Sequence, residues 1–380
     1  MRIAVLTRNF SPISGGAENY SVALVKLLSK HHEIHVYCQE TDFPVTGIAY
    51  HHVLRISKRP RWLNQWIFSF STWLSTRNQF DIVHSHEHVW HGNAHTFHVS
   101  CVWASIFKDR NGWKLALRWL QVFTSLRHFT YLWLESARVR AKANHGLVFV
   151  SNKLRDQFLI HYPDIVSRSI VVSPGVDLPT SLRSPEECRR QLDWADNQIY
   201  LLFIANDFER KGLSVLLQAL KKLNPSIALA VVGQSKQSKK FQAQVQQLGL
   251  AERVEFYGKQ EDLSTFYRAA DLLVHPTLED SFGMVVLEAM AQELPVLVST
   301  FPYCGLASKL TDGVHAKVIQ DPLNAEQLVY ILQNLLNDPP LQQELVNNGL
   351  QFARSASWKK VALEYENFFL RIAKTKGAKK

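Results

Sequence analysis

Two carboxylates eight positions apart, Asp280 and Glu288, bracket a segment whose residue types predict a helix start. The apolar run from Leu272 to Val274 predicts a buried strand before it, and a polar loop follows that strand. The free N–H groups of a helix start favour an anion such as a phosphate, and Gly283 would let a ligand approach the backbone there. The segment therefore predicts an anion-binding turn between two acids. The expected helix buries an apolar side formed by Val285, Val286, Ala289 and Met290.

A second charged turn lies upstream at Arg210-Lys211-Gly212. It follows the apolar run from Tyr200 to Ile204, which predicts a strand, so the two cations stand at a strand-to-helix junction. Adjacent cations at such a junction can neutralise a diphosphate, and the glycine allows the helix to begin close by. Other residues that end or follow apolar strands are expected at the same edge: Asn206, Gly258 and Lys259.

A glycine pair, Gly15 and Gly16, follows the first apolar run of the chain. Glycine pairs are common in ordinary tight turns, so one interpretation is purely conformational. The other is a backbone wall that admits phosphates or a second ligand where a Cβ would clash. The residues alone leave both interpretations open.

Six of the sixteen histidines lie between His84 and His98. A metal cluster is one interpretation of this density. No H-E-x-x-H pattern and no neighbouring pair of cysteines supports it, so no metal site is expected here.

The composition is typical of a folded protein with two domains. A chain of 380 residues is long for one core, and 46% apolar with 20% charged residues is usual for globular domains. No apolar run approaches the ~18–20 residues that span a bilayer, and residues 1–8 predict a strand rather than a signal peptide. The four cysteines are scattered, which favours a reduced cytoplasmic compartment.

The net charge of +10 is unevenly distributed: residues 1–175 hold 20 Lys/Arg against 10 Asp/Glu, whereas residues 176–380 hold 23 of each. Eight of the ten tryptophans lie between Trp62 and Trp133. Basic and indole side chains together favour an anionic membrane surface, although nucleic acid also attracts cations and the tryptophans could simply be core. The membrane candidate is the helical segment 113–140. Its apolar stripe and adjacent cations are Leu115, Trp119, Phe123, Leu126, Arg118 and Arg127.

Strand and helix patterns alternate twice along the chain. Each alternation predicts a doubly wound α/β domain, in which ligands bind beyond the carboxyl ends of the strands. A Pro-Gly turn within residues 173–177 is expected to link domains 1–175 and 176–360. A continuous helical pattern covers 113–143. A final amphipathic helix over 358–373 precedes a basic tail, 374–380, which is expected to be disordered.

These motifs resemble the retaining nucleotide-sugar glycosyltransferases of family 4, which have the GT-B fold of two Rossmann-like domains. The family's donor motif has an acid, a glycine-rich turn and a glutamate at the spacing of Asp280 and Glu288. The family usually has Glu first, whereas this chain has Asp280 with Glu279 beside it. The adjacent cations Arg210 and Lys211 are most similar to those of bacterial lipopolysaccharide core glucosyltransferases.

The resemblance implies transfer of a hexose, with retention, from a UDP-sugar (UDP-glucose favoured) to a lipid-anchored glycan such as lipopolysaccharide core. It implies a peripheral enzyme on the cytoplasmic face of a bacterial membrane, with no metal, no cofactor besides the donor substrate and no nucleic acid. It also implies that the last segment, 361–380, contains a helix returning to the first domain.

In the family, the Arg/Lys pair holds the donor pyrophosphate, the second acid binds the ribose hydroxyls, a histidine lies near the reacting sugar, and main-chain groups after one strand bind the nucleobase. The implied catalytic residues are His98, Arg210, Lys211 and Asp280. The implied donor-binding residues are Gly15, Gly16, Asn206, Gly233, Gly258, Lys259, Ser281, Phe282, Gly283, Met284, Val285 and Glu288.

Two other functions stay open at this point. A GT-B epimerase acting on UDP-GlcNAc would share the fold, but not the spacing of Asp280 and Glu288 combined with Lys211. A non-catalytic glycosyltransferase-like subunit would bind without reacting, and the full set of donor motifs argues against it.

Overall fold

A computed structural model describes residues 1–11, 16–42, 44–56, 59–107, 111–140 and 145–377. The chain divides into two compact units. The N-terminal unit comprises Met1–Gly175 and Trp358–Lys380, and the C-terminal unit comprises Val176–Ser357.

The N-terminal unit alternates strands and helices. Its strands are β1 (Arg2–Leu6), β2 (Asn9–Phe10), β3 (Glu33–Cys38), β4 (Glu40–Thr41), β5 (Ala49–His52), β6 (Ile82–Ser85), β7 (Ala94–Phe97), β8 (Gly146–Phe149) and β9 (Ser169–Val171). Its helices are α1 (Gly16–Leu28), α2 (Arg61–Thr76), α3 (Val102–Phe107), α4 (Trp113–Thr124), α5 (Leu126–Val139) and α6 (Asn152–His161), with a 3₁₀ helix at Pro163–Arg168.

Parallel strands in the order β5-β3-β1-β6-β7-β8-β9 form the main sheet of this unit, and β2 pairs separately with β4. The chain moves outward from β1 in one direction and returns through β6 in the other. The crevice between β1 and β6 is therefore the topological switch point, where ligands of such sheets bind. Ile3 to Leu6 are all fully buried, as expected for a central strand covered on both faces.

The C-terminal unit repeats this plan. Its strands are β10 (Ile199–Ile204), β11 (Ile227–Val232), β12 (Val254–Gly258), β13 (Leu272–His275), β14 (Val296–Ser299) and β15 (Lys317–Ile319). Its helices are α7 (Pro185–Gln191), α8 (Leu213–Leu220), α9 (Ser238–Gln247), α10 (Ser264–Ala269), α11 (Met284–Ala291), α12 (Ala325–Leu336) and α13 (Pro339–Ser355), with a 3₁₀ helix at Leu306–Lys309.

The second sheet is also parallel, in the order β12-β11-β10-β13-β14-β15, and its switch point lies between β10 and β13. Successive residues of β10 enter two different cores: Leu202 and Ile204 pack on one side, and Leu201 and Phe203 on the other. The sheet is therefore covered on both faces, which explains why β10 is an unbroken apolar run. The predicted pair of doubly wound α/β units is confirmed.

The last helix, α14 (Trp358–Gly377), packs against α1 and β6 of the N-terminal unit. Tyr365 and Phe369 are fully buried in this contact. The expectation of a disordered tail was wrong for residues 374–377, because the last helix continues to Gly377. Residues 378–380 lie outside the described part of the chain.

The continuous helix predicted over 113–143 was also wrong, because two helices, α4 and α5, meet at Ser125. The Ser125 hydroxyl accepts a hydrogen bond from the backbone N–H of His128, so this serine begins α5 as its N-cap. Residues 141–144 of that segment lie outside the described residues. The short strands β7 and β15 were not predicted, since β7 carries polar side chains at two of its four positions.

The apolar side of α11 also differs from the prediction. Val286, Ala289 and Met290 are buried as expected, but Val285 is only half-buried and Leu287 takes its place in the core. None of the described helices is both long and apolar enough to cross a bilayer.

Candidate functional site

Lys211 and Asp280 meet at the switch point of the C-terminal sheet. Lys211 follows β10 and Asp280 follows β13, and the Lys211 Nζ lies 2.6 Å from the Asp280 Oδ2. The loops carrying them are joined through their backbones, because the N–H of Leu278 donates to the carbonyl of Arg210 at 2.8 Å. The two predicted site residues, 69 positions apart in the chain, therefore form one ion pair where the sheet opens.

Gly212 is required by this close approach of the two loops. Its φ is +81°, and a Cβ at this position would lie against the carbonyl oxygen of Pro276, far inside van der Waals distance. A side chain here would push the loop after β10 away from the loop after β13. The glycine therefore keeps Lys211 within reach of Asp280.

The carboxylate of Asp280 is held on both oxygens. Its Oδ2 also contacts the Nε2 of His275 at 3.1 Å, and its Oδ1 accepts from the backbone N–H of Phe282 at 3.1 Å. Burial alone would raise the pKa of Asp280. The Lys211 ammonium and the His275 hydrogen bond have a larger, opposite effect, so the pKa of Asp280 lies well below its ordinary value. Asp280 is therefore ionised at neutral pH.

His275 is the part of this arrangement that the sequence did not predict. It is the last residue of β13 and is almost fully buried. Burial lowers its pKa, against the opposing effect of Asp280, so the imidazole is neutral at pH 7. Because a carboxylate can only accept, the Nε2 of His275 carries the proton that Asp280 receives as a hydrogen bond.

Arg210 differs from its neighbour Lys211. Its guanidinium pairs with Glu279 at 3.4 Å, and the two side chains are 57% and 44% exposed. Exposed pairs of this kind contribute about 0–1 kcal/mol, so Arg210 can exchange Glu279 for another anion at little cost. Of the two adjacent cations, Lys211 is held and Arg210 is accessible.

The start of α11 is built around Gly283, whose φ is +104°. A Cβ on Gly283 would lie 2.7 Å from the Cys304 Sγ, so the glycine is needed for packing against the protein interior. Gly283 was expected to let a ligand approach the backbone, whereas its missing Cβ faces Cys304 in the protein interior. Phe282 is buried, whereas three other predicted donor-binding residues are half-buried: Ser281, Met284 and Val285.

Glu288 stands on α11 and is held separately from the Lys211–Asp280 pair. The Tyr267 hydroxyl donates to its Oε2 at 2.8 Å. Burial raises the pKa of Glu288, and the Tyr267 hydrogen bond opposes that effect. This carboxylate is thus fixed in direction while remaining half-exposed.

The remaining predicted residues of this unit follow β10, β11 and β12 at the same sheet edge. Gly233 has φ +117°, and its Cβ would meet the carbonyl oxygen of Ala205, while its N–H donates to the carbonyl of Gly258 at 2.7 Å. Gly258 has φ +67° with open space around it. Asn206 and Lys259 are exposed.

In the N-terminal unit, Gly15 lies outside the described residues and Gly16 is the first residue of α1. An ion pair that the sequence did not predict occupies the switch point of this sheet. Arg8, after β1, places its Nε 2.9 Å from one oxygen of Glu87, after β6, and its backbone N–H donates to the other oxygen at 3.1 Å.

His98 follows β7, and its Nε2 lies 2.9 Å from the Nδ1 of His86. The Tyr20 ring packs edge-on against His98 with centroids 5.0 Å apart. Burial, with a contribution from the Arg138 charge, lowers the pKa of His98 to about 3. His98 is therefore a neutral hydrogen-bonding group at physiological pH.

Arg138 of α5 is a buried cation that the sequence did not predict. Its Nη2 donates to the carbonyls of Thr96 at 2.6 Å and Ser85 at 3.2 Å, and its guanidinium lies 4.0 Å from the centre of the Phe97 ring. Burial lowers its pKa to about 9. Arg138 thus ties β6 to β7 beneath the histidines. Its spacing in the sequence gave no sign of this.

Among the described residues, no group of three or more His, Cys, Asp or Glu side chains is arranged to hold a metal ion. The histidines make other contacts instead. The His84 Nε2, for example, lies 2.8 Å from the Thr96 hydroxyl, which in turn lies 2.7 Å from the Tyr365 hydroxyl of α14.

Both halves of the chain match models of glycosyltransferase domains. Residues 14–179 match the family described as Glycosyltransferase Family 4, and residues 184–352 match Glycosyl transferases group 1. The two matches together cover most of both units and leave out β1, β2 and the last helix.

Curated relatives are similar over part of their length. The chain is 33% identical over 236 residues to the lipopolysaccharide glucosyltransferase WaaG of Escherichia coli, covering 60% of this chain and 62% of that protein. It is 28% identical over 247 residues to a D-inositol 3-phosphate glycosyltransferase of Corynebacterium aurimucosum, covering 60% of this chain and 57% of that protein. The chain thus aligns with less than two thirds of these relatives.

Solved structures share the fold over nearly the whole chain. A crystal structure of WaaG superposes with a TM-score of 0.81 at 23% identity and covers 97% of this chain and 99% of that one. Anabaena Alr3699/HepE in complex with UDP and glucose gives a TM-score of 0.74 at 18% identity, covering 97% and 98%. The chain is therefore built from a Glycosyltransferase Family 4 domain and a Glycosyl transferases group 1 domain, and it has the GT-B fold.

Proposed function

We propose that this glycosyltransferase moves a hexose, with retention, from a UDP-sugar to a lipid-anchored glycan such as lipopolysaccharide core, in bacterial cell-envelope polysaccharide synthesis. UDP-glucose is the favoured donor. The observation that carries the proposal is Lys211 at the switch point of the C-terminal sheet, beside the start of α11. The similarity to a lipopolysaccharide glucosyltransferase supports the choice of sugar and acceptor.

The charge on the leaving diphosphate is expected to be stabilised by protein groups. The Lys211 ammonium, the accessible guanidinium of Arg210 and the free N–H groups at the start of α11 all supply positive potential at one sheet edge. Such groups can do for a diphosphate what a metal ion does elsewhere, so we propose that the enzyme needs no metal.

Retention is proposed to arise by attack on the same face from which the diphosphate leaves. A double displacement needs a carboxylate nucleophile that is free to attack the sugar. Asp280 is engaged by Lys211, His275 and a backbone N–H, which makes it a poor candidate for that role. Front-face attack assisted by the leaving phosphate is therefore the favoured route.

A panel of UDP- and GDP-sugars, incubated with the protein and a lipopolysaccharide core acceptor, tests the proposal. We expect UDP-glucose to be consumed and the product linkage to keep the anomeric configuration of the donor, as read by NMR coupling constants. Conversion of UDP-GlcNAc without an acceptor would instead indicate an epimerase. Binding of nucleotide sugars without consumption would indicate a non-catalytic subunit.

We further propose that the enzyme works as a peripheral protein on the cytoplasmic face of the membrane, with α4 as a contact. Only Val122 of α4 is buried. Four large apolar side chains lie on one face of this helix, at i, i+4, i+7 and i+10, and are 67%, 49%, 60% and 69% exposed: Trp113, Leu117, Leu120 and Phe123.

The surroundings of α4 fit an anionic surface. Lys114 lies beside the exposed face on α4, and Arg127 is exposed at the start of α5. Exposed apolar side chains continue on neighbouring α5 and α2, which packs against α5: Leu126, Phe129, Trp133, Leu63, Phe70 and Leu74. Trp119 of the predicted stripe instead packs against Trp103 and Phe107.

Co-sedimentation with vesicles tests the membrane contact. We expect binding to vesicles containing phosphatidylglycerol and little binding to pure phosphatidylcholine, because each Lys/Arg near an anionic surface contributes ~1 kcal/mol. High salt should weaken the binding. Leu120→Ser and Phe123→Ser should reduce it, whereas Tyr330→Ser, at a 68% exposed position of the C-terminal unit, should not. Equal binding to both vesicles would contradict the proposed attraction to an anionic surface, and binding to neither would exclude the membrane contact.

A further inference from the structure

Three side chains from three different loops or strands form one hydrogen-bonded chain, His275–Asp280–Lys211. The His275 Nε2 and the Lys211 Nζ both contact the same oxygen of Asp280, at 3.1 Å and 2.6 Å. The Lys211 Nζ also donates to the backbone carbonyl of Glu279 at 3.1 Å. The ammonium is thus fixed in direction by two acceptors on one loop.

The other end of this chain is anchored in the core. His275 is 1% exposed, and its second ring nitrogen, Nδ1, is buried without a hydrogen-bond partner among the described residues. The imidazole therefore makes its one hydrogen bond to Asp280. A buried ring nitrogen without a hydrogen-bond partner destabilises the native state, so a leucine would be the more stable choice if the position served packing alone.

We propose that His275 and Asp280 are positioning residues for Lys211: they hold its ammonium at the switch point, ready for the donor diphosphate. This inference rests on the proposed function for the identity of the anion. It gives the chain's aspartate a role that its shorter side chain allows, because one carboxylate oxygen reaches both the lysine and the buried imidazole.

The proposal separates two effects of Asp280 that have opposite signs. Its charge, 2.6 Å from the lysine, weakens the attraction of Lys211 for any added anion. Its geometry holds the ammonium where charge develops as the diphosphate leaves. Asp280→Asn should therefore bind UDP more tightly than the wild type while turning over more slowly. An unchanged or weaker UDP affinity would contradict this charge effect.

The first test needs no substrate. In ¹⁵N-lysine-labelled full-length protein, a held ammonium exchanges slowly and gives an ¹H–¹⁵N signal, assigned by its absence from Lys211→Ala. We expect the Lys211 signal in the wild type and in His275→Gln, whose amide can donate to the same oxygen. It should broaden or disappear in His275→Leu and Asp280→Asn. An unchanged signal in both of those variants would overturn the proposal.

The second test is a double-mutant cycle on sugar transfer. His275→Leu should lower kcat roughly 10-fold with a smaller change in donor KM, and His275→Gln should restore most of the loss. In a Lys211→Ala background, His275→Leu should not lower kcat any further, because His275 acts only through Lys211. A full additional loss in that background would mean that His275 acts structurally, and the positioning role would be wrong.

Failure of the proposed function has a different signature. The Lys211 signal could respond to the variants as expected while UDP neither shifts it nor binds by calorimetry. In that case Lys211 does not bind the diphosphate, and the proposal that it is positioned for that anion is refuted. If UDP binds and sugar is transferred but the signal ignores His275→Leu and Asp280→Asn, only the positioning role fails.

Discussion

An ion pair joins two strand ends at the switch point of each sheet. In the N-terminal unit the pair is Arg8 with Glu87, and in the C-terminal unit it is Lys211 with Asp280. In both units the cation follows the first strand of the Rossmann-like fold and the acid follows the strand across the switch point. The same topology therefore places opposite charges at the same position twice.

The surroundings of the two pairs differ. Arg8 uses both oxygens of Glu87 through its side chain and its backbone, and the Glu87 charge raises the pKa of Arg8. The strand ends beside it carry neutral histidines. Lys211 instead shares one Asp280 oxygen with His275, and Asp280 lies just before the start of α11. We expect the second edge to bind an anion, and the first to suit hydroxyl-rich ligands.

The largest test of this comparison is Lys211→Ala. Removing a positive group from a centre where negative charge develops costs ~10²–10³ in rate, so transfer should nearly cease while the fold is retained. Circular dichroism and kcat/KM for UDP-glucose would measure both. Lys240→Ala is the matched control, because Lys240 pairs with Glu209 on the surface of the same unit. Near-normal turnover in Lys211→Ala would mean that the C-terminal edge does not bind the diphosphate through Lys211, and the proposed difference between the two edges would be wrong.

Two glycines at the C-terminal edge, Gly233 and Gly258, differ in how closely other backbone atoms approach them. Gly233→Ala should lower the free energy of unfolding by about 2–5 kcal/mol, because the new Cβ meets the carbonyl of Ala205 at a positive φ. Gly258→Ala should cost about 1–2 kcal/mol, since its φ is positive but the space is open. Urea unfolding measures both. Equal losses would show that the close approach at Gly233 is not what the edge requires.

A smaller effect is expected from Glu288→Ala. The Tyr267 hydrogen bond fixes this carboxylate away from the Lys211–Asp280 pair, which fits a contact with the ribose rather than with the bond being broken. We expect the donor KM to rise roughly 10-fold with a smaller fall in kcat, as when uniform binding is lost. Tyr267→Phe should produce a weaker change of the same kind. An unchanged KM in Glu288→Ala would contradict this role.

The site residues of the C-terminal edge could be predicted from the sequence better than those of the N-terminal edge, for a physical reason. Lys211 and Asp280 each lie in the loop after an apolar strand, so strand prediction places both at the same sheet edge. His275 ends an apolar run and looks like any strand residue. Arg138 bonds to Thr96, 42 positions away, and only the fold brings them together. Residues in loops after apolar strands could be placed at a sheet edge from the pattern, whereas the contact of a helix side chain such as Arg138 depends on packing that the pattern does not give.

The last prediction concerns His98 at the N-terminal edge and the dependence of the free energy of unfolding on pH. His98 has a native pKa of about 3, against an ordinary value of 6.5, because burial disfavours its charged form. The unfolded chain therefore binds a proton that the native protein does not, and stability falls as the pH drops below 6.5 towards 3. Each such histidine contributes a slope of about 1.4 kcal/mol per pH unit.

Replacing His98 with Gln, which can keep a hydrogen bond to His86, should remove one proton from this slope. Unfolding in urea between pH 4.5 and 7, followed by tryptophan fluorescence, reports mainly on the N-terminal unit, which holds nine of the ten tryptophans. The same slope in His98→Gln as in the wild type would mean that His98 is protonated in the native state. The histidines at the N-terminal edge would then include a charged one, and both edges would carry positive charge that can attract an anion.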